Sequence, residues 1–426
     1  MKILLALVCL GAVQLASSQV LSLPQGHFEE GTTDLESPGL PMEEEEEEIL
    51  TSPVQRLAYS ISDFGYDLYR AMANKNPMAN IFLSPLSVAT SLSALSLGAV
   101  SKNAQILERL LNYDLVKDLE VHSVYKELLT KVTARPKNFK LVSRIYVKQK
   151  LRMRANFLNQ VDEFYGSRPK AMFGNEQQDL RTINQWMKSR SSGLINKVIA
   201  TIPQDLSLLL LSAAHYKGEL LTKFKSANTA QKAFSISYGR DVNVPMMTDT
   251  HYPLRYGYDS DLRCKIGLFR YLGDISLLIF LPTDIRSNMS LIEENLNPVF
   301  IHDLVSQLQD VRASVSLPRL KINSNQELKE PLGEMSLNPL YTLSQLNKIT
   351  NVPVKISSIK HSALLELSER GAQDPPRADP NDRQLTMEFH VNRPFILVLY
   401  DNPSGSLLHI GRVTDPSELV ESLRRQ

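Results

Sequence analysis

Leu206-Ser-Leu-Leu-Leu-Leu-Ser-Ala-Ala-His-Tyr-Lys-Gly218 is the stretch that decides the fold of this 426-residue chain. Its apolar part, Leu206 to Leu211, has the length of a strand and is shorter than a typical helix. We therefore predict a strand that is buried on both faces. Ile275 to Leu281 and Phe395 to Tyr400 are runs of the same kind, and each ends near Pro, Gly or Asn. They predict two further central strands.

Helical patterns lie between these strands. Amphipathic stretches around residues 107–115 and 292–308 predict helices, and an earlier helix is predicted to begin at Ser52 and Pro53, a capping residue followed by a residue suited to the first helical position. No fixed-period repeat and no Gly/Ser linker divides residues 52–416. We therefore predict one α+β domain over residues 52–416, with mixed β-sheets surrounded by helices.

The first 18 residues have the pattern of a secretory signal peptide. Lys2 precedes an apolar run from Ile3 to Val13, and small residues stand one and three places before Gln19. That run is too short to cross a membrane, and no later stretch reaches about 18 uninterrupted apolar residues. We therefore expect a signal peptide at residues 1–18 and a secreted, extracellular protein with no membrane span.

Charge is nearly balanced in total but not along the chain. The formal net charge is +1, which gives no reason to expect nucleic acid as a partner of the whole surface. Residues 3–55 contain ten acidic residues and no Lys or Arg, whereas residues 131–161 contain nine basic residues and no acid. Residues 19–51, which include Glu43 to Glu48, predict a disordered acidic tail, and the sequence leaves open whether that tail has a partner.

The two cysteines exclude an internal disulfide in the secreted chain. Cys9 lies in the predicted signal peptide, and Cys264 is then alone, which also excludes a cysteine-cluster metal site. We expect Cys264 to be a buried structural thiol, and we predict no cofactor and no metal. Asn288-Met289-Ser290 is the one usable Asn-x-Ser/Thr sequon, so Asn288 is the predicted glycosylation site of a glycoprotein.

Five blocks of the chain follow one another in an order that is found in a known family. They are Asn80-Ile-Phe-Leu-Ser-Pro-Leu-Ser-Val-Ala89, Ile183-Asn-Gln-Trp186, Leu206 to Gly218, Phe389-His-Val-Asn-Arg-Pro-Phe-Ile396 and Gly411-Arg-Val-Thr-Asp-Pro416. These blocks resemble the serpins. The resemblance implies the serpin fold with an exposed reactive-centre-like loop, and it makes residues 417–426 a C-terminal extension beyond the usual end of the family.

The resemblance implies that the chain could inhibit proteases, because many serpins insert a cleaved loop as a new strand of the main sheet. Such a strand requires N–H donors and small inward side chains. Here Pro375, Pro376 and Pro380 lack the N–H, and Asp374 falls on the inward parity, where an unpaired carboxylate is costly to bury. We therefore predict a non-inhibitory serpin; the alternative is a serine-protease inhibitor that works by loop insertion.

Sequence motifs of catalysis are absent. The chain contains no Gly-x-Ser-x-Gly, no His-Glu-x-x-His and no phosphate-binding glycine loop. Its eight histidines are scattered along the sequence, and His215 is most simply a core histidine with satisfied hydrogen bonds. We predict that the protein is not an enzyme.

The basic segment predicts a polyanion site. Leu141 to Val147 is predicted to be a strand on which Lys140, Arg144 and Lys148 share one parity, and Lys148, Lys150, Arg152 and Arg154 alternate along an extended chain. A row of cations without competing acids suits heparin or heparan sulfate, which would bind by counterion release. The resemblance to a non-inhibitory serpin implies the same for Lys150 and Arg152. The alternative is a solvated basic face.

A small acidic group predicts a second partner. Asp259 and Asp261 lie two residues apart in a turn-like stretch, and the resemblance implies a collagen-binding site that Asp303 completes. Carboxylates can pair with the Lys and Arg of a collagen triple helix. Solvated turn carboxylates are the alternative, and a Ca²⁺ site is disfavoured because no EF-type loop surrounds the residues.

The overall prediction is a secreted, non-inhibitory serpin that acts as an extracellular matrix-bound signalling ligand. The resemblance implies anti-angiogenic and neurotrophic activity and a cell-surface receptor, with Ile106 and Leu115 in the receptor-facing region. Besides the protease inhibitor, the alternative is a passive carrier or storage serpin without signalling.

Overall fold

A computed structural model describes residues 52–285, 289–342, 346–376 and 387–420. The predicted signal peptide at 1–18, the acidic tail at 19–51, Asn288, Pro380 and residues 421–426 lie outside the described residues, so the predictions made for them stay predictions.

The described residues form ten α-helices and sixteen strands. The helices are α1 (Pro53–Lys75), α2 (Pro85–Ser96), α3 (Ser101–Leu110), α4 (Val121–Val132), α5 (Ala155–Tyr165), α6 (Glu176–Arg190), α7 (Met289–Asn295), α8 (Pro298–Gln307), α9 (Lys329–Leu332) and α10 (Ser417–Val420). The strands are β1 (Ile81–Leu83), β2 (Phe139–Val147), β3 (Lys170–Ala171), β4 (Leu208–Tyr216), β5 (Leu220–Thr222), β6 (Ala230–Ser237), β7 (Arg240–Asp259), β8 (Cys264–Tyr271), β9 (Ile275–Pro282), β10 (Gln309–Pro318), β11 (Leu320–Glu327), β12 (Ile356–Leu367), β13 (Gly371–Gln373), β14 (Met387–His390), β15 (Phe395–Asp401) and β16 (Ser406–Val413).

Helix α1 begins where the sequence predicts. The Ser52 hydroxyl accepts the Gln55 N–H at 3.2 Å, and the Gln55 side chain accepts the Ser52 N–H at 3.2 Å, while Pro53 occupies the first turn. This reciprocal capping satisfies two N–H groups that no helical carbonyl can reach. Leu57, Ile61, Phe64 and Leu68 face the core and are buried. The predicted start of α1 is confirmed.

A five-stranded sheet is built around the stretch that decides the fold. Its order is β11-β12-β4-β2-β3, and every residue of β4 is buried. Strand β4 pairs in parallel with β12 from Ile356↔Leu208 to Leu365↔Tyr216, and it pairs antiparallel with β2 on its other side. The predicted central strand is therefore confirmed. Because β12 and β4 bond directly to each other, no strand stands between them.

The larger sheet contains the other two predicted central strands. Strand β15 pairs antiparallel with β9 on one side and with β16 on the other, and every residue of β9 is buried. Between the two sheets lies α2, whose residues Pro85 to Leu95 are all buried. Most of its hydroxyls donate to carbonyls of the preceding turn, as Thr90 does to Leu86 at 2.6 Å, while the Ser93 hydroxyl bonds to the hydroxyls of Tyr113 and Tyr165.

Two helical predictions are only partly correct. The stretch 292–308 forms two helices, because α7 ends at Asn295 and Asn297 caps a new helix at Pro298 by accepting the Phe300 N–H at 2.9 Å. Proline lacks the N–H that would continue α7, so the break falls at this residue. The stretch 107–115 likewise divides, with α3 ending at Leu110 and a 3-10 helix over Tyr113–Val116. Within the described residues, no helix is both long and apolar enough to cross a membrane.

Candidate binding surfaces

The four cations Lys148, Lys150, Arg152 and Arg154, here called the basic surface, follow directly after β2. All four side chains are exposed, while Leu151 and Met153 between them pack against the core. The chain makes a tight turn at residues 149–150, where Lys150 has a φ of 62°. The predicted single extended run from Lys148 is therefore wrong at this turn, but the alternation of exposed cations holds from Lys150 to Arg154.

Main-chain hydrogen bonds hold the two ends of this segment. The Lys148 N–H donates to the Ser207 carbonyl at 3.0 Å, and the Arg154 N–H donates to the Ile349 carbonyl at 2.8 Å. The Arg154 guanidinium also donates to Asn351 Oδ1 at 2.5 Å. Among the described residues, none of the four cations forms a salt bridge. Their charge is therefore available to an external anion.

The rest of the basic segment is occupied by internal contacts. Lys131 pairs with Glu127 at 2.6 Å, and Lys137 pairs with the buried carboxylate of Asp401. Arg144, expected on the same parity as Lys148, lies instead over the ring of Trp186, with its guanidinium carbon 4.0 Å from the ring centroid. Of the nine basic residues, Lys131, Lys137 and Arg144 are thus engaged in internal contacts, which leaves fewer cations to bind an external anion.

One cation that the sequence did not predict lies beside the basic surface. Strand β3 pairs with the end of β2 at Val147↔Ala171, which places Lys170 and Phe173 next to the turn at residue 149. The Phe173 ring is 50% exposed, and the Lys170 ammonium lies 5.5 Å from its centroid. The buried carboxylate of Asp179 accepts the Phe173 N–H at 2.8 Å and fixes this loop. Lys170 lies 16 positions after Arg154, the last cation of the basic segment, so local patterning could not associate the two.

The acidic group Asp259, Asp261 and Asp303 divides between a hairpin turn and a helix. Asp259 Oδ1 accepts the N–H groups of Asp261 at 2.9 Å and Leu262 at 2.8 Å, which closes the turn between β7 and β8. Asp303 is exposed on α8, and α8 lies against β7 because Arg255 donates to its carbonyls at Val305 and Leu308. The structure shows no hydrogen bond between Asp303 and the two turn carboxylates.

The acidic turn carries one half-buried and one exposed carboxylate next to an exposed aromatic side chain. Asp259 is half-buried, Asp261 is exposed, and the neighbouring Tyr258 side chain is 56% exposed. No group of three or more His, Cys, Asp or Glu that could hold a metal occurs in the described ranges. Cys264, the first residue of β8, is buried as predicted, and burial raises the pKa of its thiol to about 12.

The two predicted receptor-facing residues differ in accessibility. Leu115 is 46% exposed on the 3-10 helix after α3. Ile106 is only partly accessible, because its side chain packs from α3 against the core. Arg56 fixes the position of Leu115 by donating to its carbonyl at 2.7 Å. Of this pair, Leu115 is therefore the better placed for contact with a partner.

The hinge after β12 continues alongside β5 and does not turn back into the five-stranded sheet. Strand β13 pairs in parallel with β5, and the N–H groups of Leu220, Lys223 and Phe224 donate to hinge carbonyls at 2.9 to 3.1 Å. A Cβ on Gly371 would lie 2.5 Å from the Lys223 nitrogen, so only glycine allows this approach. The Asp374 carboxylate pairs with Lys223 at 2.9 Å.

The two prolines that follow lie at the edge of the loop. Pro375 is buried and Pro376 is exposed, and the described chain stops there until Met387. Glu369, at the start of the hinge, accepts the Thr229 hydroxyl at 2.8 Å and pairs with Arg319 at 3.3 Å. Both ends of the described hinge are thus fixed by ion pairs outside the five-stranded sheet.

His215 corrects one prediction about the core. It is buried in β4 as predicted, but neither ring nitrogen has a hydrogen-bond partner within the part of the chain that the structure describes. Burial and the nearby Lys140 ammonium lower the pKa of His215 to about 4. The imidazole is therefore neutral near pH 7, which avoids the much larger cost of burying an unpaired charge.

Comparison with known proteins agrees with this architecture. The family model for serpins, described as serine protease inhibitors, matches residues 59–416. Pigment epithelium-derived factor of Homo sapiens is 42% identical over 418 residues, which cover 98% of this chain and 99% of that protein. The Bos taurus protein of the same name is 41% identical over 390 residues, covering 91% and 94%.

A solved structure gives the same result for the fold. Human thyroxine-binding globulin superposes with a TM-score of 0.79 at 22% identity, with 86% of this chain and 100% of that chain covered. The family model and both relatives match nearly the whole described chain. The protein is a member of the serpin family.

Proposed function

We propose that this protein is a secreted, non-inhibitory serpin that acts as an extracellular signalling ligand and binds heparin-like glycosaminoglycan and collagen. The observation that carries the non-inhibitory part is the composition of the hinge, in which Pro375 and Pro376 lack the N–H of a central strand and the inward-parity Asp374 is a carboxylate. The 42% identity to pigment epithelium-derived factor supports placing the chain in the subgroup of serpins like that protein. Anti-angiogenic and neurotrophic activity is the part of the proposal that rests on the resemblance alone.

Loop insertion has identifiable energetic costs in this chain. It would break the hydrogen bonds between the hinge and β5 and the ion pair between Asp374 and Lys223. It would also place Pro375 and Pro376, which have no N–H, in the middle of a sheet. Finally, it would bury the Asp374 carboxylate on the inward parity, at a cost of at least several kcal/mol. These costs all oppose insertion, so we propose that insertion is unfavourable or very slow.

The glycan part of the proposal rests on the basic surface. Four exposed cations without internal ion pairs lie on a segment of fixed geometry, and Lys170 adds a fifth positive charge beside them. A sulfated polymer releases bound counterions when such a row of cations replaces them, and this drives binding at low and moderate salt. The predicted signal peptide at residues 1–18 favours secretion. Outside the cell, a sulfated glycan is a more accessible polyanion than nucleic acid.

The collagen part of the proposal rests on the acidic turn. Asp259 and Asp261 are presented on a closed hairpin turn, with the exposed ring of Tyr258 beside them and Asp303 on the adjacent helix. Carboxylates pair well with the Arg and Lys of a triple helix, and an aromatic ring adds contact area. Leu115 is the residue that we propose for receptor contact, because its side chain is exposed.

A passive carrier is the second candidate, and a cavity favours it. Between α1, α8 and the larger sheet lies a cavity of about 490 Å³, lined by Tyr59, Tyr66 and Tyr400 together with Arg255 and Arg270. Such a lining would suit an aromatic acid. Thyroxine-binding globulin, the solved protein with the same fold, is named for its binding of thyroxine. A cell response that requires the protein and a receptor supports the signalling ligand; saturable ligand uptake without such a response supports the carrier.

Cleavage of the loop tests the non-inhibitory proposal. We expect that cutting the chain within residues 377–386 leaves the melting temperature nearly unchanged, because the cleaved segment does not enter the five-stranded sheet. Differential scanning calorimetry of intact and cut protein measures the shift. A large rise in melting temperature on cleavage would show that insertion occurs.

A further inference from the structure

The loop between β3 and α6 leaves one aromatic side chain in contact with water. Phe173 is 50% exposed, and it is the only exposed phenylalanine among the residues that the structure describes. Met172, directly before it, packs against buried side chains of the five-stranded sheet and α6. Burial of a Phe side chain is among the larger apolar gains of folding, and this position forgoes much of that gain. Packing within the fold therefore does not account for an aromatic residue at this position.

Short contacts fix this loop against the turn at residues 149–150. The carboxylate of Asp179, which is 3% exposed, accepts the N–H groups of Phe173 at 2.8 Å and of Gly174 at 2.9 Å. Gly174 has a φ of 86°, which favours glycine, and a Cβ at this position would lie 2.0 Å from Gln149 Oε1. The Gln149 side chain thus lies directly against the loop. The ring is held beside the basic surface before any ligand binds, which reduces the entropy lost on binding.

The ring also has cations as neighbours. The Lys170 side chain is exposed, and its ammonium lies over the Phe173 ring, 5.5 Å from the centroid. Lys170 forms no salt bridge among the described residues. The pairing Tyr146↔Lys170 makes Lys170 a diagonal neighbour of Lys148 on one face of the sheet, at about 8 Å for one strand spacing across and two residues along. Lys170 therefore extends the row of cations to the ring.

These neighbours define the chemistry of an occupant. Glu176 and Asp179, the carboxylates in the first turn of α6, both accept main-chain N–H groups, Glu176 from Ile202 at 3.3 Å. The ring is therefore accompanied by available positive charge, and a polyanion that also presents an apolar face satisfies both. A sulfated polysaccharide has C–H groups on the faces of its sugars and sulfates on their edges. Single-stranded nucleic acid also combines charge with stacking faces, but the predicted secretion favours the glycan.

We propose that Phe173 and Lys170 form a sugar-stacking subsite of the basic surface, an inference that rests on the glycan binding proposed above. The accessible part of the Phe173 ring stacks on the C–H face of one pyranose, because the face of an aromatic ring is electronegative and attracts polarised C–H groups. Lys170 pairs with a sulfate or carboxylate of the same sugar or its neighbour. Cations alone bind any polyanion, whereas stacking requires a sugar ring. The subsite therefore selects a sulfated polysaccharide over a polyanion that has no rings.

Salt separates the contribution of the ring from that of the charge. Lys170→Ala removes one cation and should lower the slope of log heparin affinity against log salt by about 0.8. Phe173 carries no charge, so Phe173→Ala should lower the heparin affinity by about fivefold at every salt concentration and leave the slope unchanged. Phe173→Tyr keeps the ring and should retain the affinity. Phe173→Leu keeps apolar area without a ring and should lose as much affinity as Phe173→Ala.

The assay is surface plasmon resonance at several salt concentrations with heparin, with oligothymidine, and with long-chain polyphosphate as a polyanion without rings. Phe173→Ala should weaken the binding of heparin and not that of polyphosphate, whereas Lys170→Ala should weaken both. Tyr238→Ala is the matched control, because Tyr238 is a 79% exposed aromatic residue in the turn between β6 and β7, and it should bind as the original protein does. Circular dichroism shows that each variant is folded.

An unchanged heparin affinity in Phe173→Ala would overturn the proposal, and so would an equal loss of polyphosphate affinity. Heparin affinity that is retained in Phe173→Leu would also overturn it, because apolar area without stacking would then suffice. A larger loss for oligothymidine than for heparin would assign the ring to nucleic acid instead. The glycan proposal itself fails if Lys150→Ala with Arg152→Ala leaves the heparin affinity unchanged; a loss in that variant beside an unchanged Phe173→Ala refutes the subsite alone.

Discussion

Removal of two cations from the basic surface gives a quantitative test of glycan binding. The variant with Lys150→Ala and Arg152→Ala shortens two exposed side chains. Neither of these side chains forms a salt bridge among the described residues. The turn at residues 149–150 and the inward packing of Leu151 and Met153 are main-chain and apolar features that the substitutions leave in place. The fold should therefore stay intact while the surface loses two of its four charges.

The expected magnitude follows from counterion release. Each cation that replaces a condensed counterion contributes about 0.7–0.9 to the slope of log affinity against log salt, so two cations contribute about 1.6. Between 1 M and 0.15 M salt this difference amounts to about 1.3 decades, or about 20-fold in affinity. We predict that the double variant loses about this factor at 0.15 M salt and that its slope falls by about 1.6.

The assay is heparin binding by surface plasmon resonance at several salt concentrations, with elution from immobilised heparin as a second readout. A matched control, Lys232→Ala with Arg240→Ala, removes one Lys and one Arg from the hairpin of β6 and β7, where both are exposed. It changes the net charge by the same two units. Equal losses in the two variants would mean that only net charge matters, and an unchanged slope in the first would refute the assigned surface.

Two further predictions concern other parts of the protein. Asp259→Asn with Asp261→Asn should abolish capture by immobilised collagen at low salt while the turn stays closed, because Asn also offers an Oδ1 acceptor; Asp162→Asn with Asp241→Asn is the control, and retained capture in the first variant would refute the site. Acid should destabilise the fold through the buried histidines, in which burial lowers the pKa to about 4 in His215 and to about 3 in His361 and His409. Since each folded pKa lies below the unfolded value of about 6.5, this stability is present above pH 6.5 and is lost as the pH falls toward 4, by about 2 kcal/mol for each histidine between pH 7 and pH 5. Urea unfolding at both pH values measures the loss, and a free energy of unfolding that is flat from pH 7 to 5 would contradict it.

The sequence predicted the central strands well, for a physical reason. Apolar runs such as Leu206 to Leu211 can be stable only with both faces covered, so they define the middle of a sheet whatever surrounds them. The cap at Ser52 is equally local. By contrast, the sequence did not predict that α7 and α8 are separate helices. The separation depends on Asn297 and Pro298, which interrupt a stretch whose apolar residues otherwise recur at helical spacing.

The binding surfaces were only partly predictable, because their composition depends on contacts between distant residues. Lys137 and Arg144 belong to the basic segment by sequence, yet both are engaged by residues distant in the chain. Lys137 pairs with Asp401, and Arg144 stacks on Trp186. Lys170 joins the basic surface through the pairing of β3 with β2.

The non-inhibitory hinge is the central claim, and protease challenge tests it most directly. The protein is incubated with a panel of serine proteases that cleave after basic, aromatic and small residues, and the products are separated by SDS gel electrophoresis. We predict cleavage in the loop that follows Pro376 and no covalent complex, because Asp374, Pro375 and Pro376 oppose insertion of the cut loop as a strand. An SDS-stable complex with any protease of the panel would contradict the account.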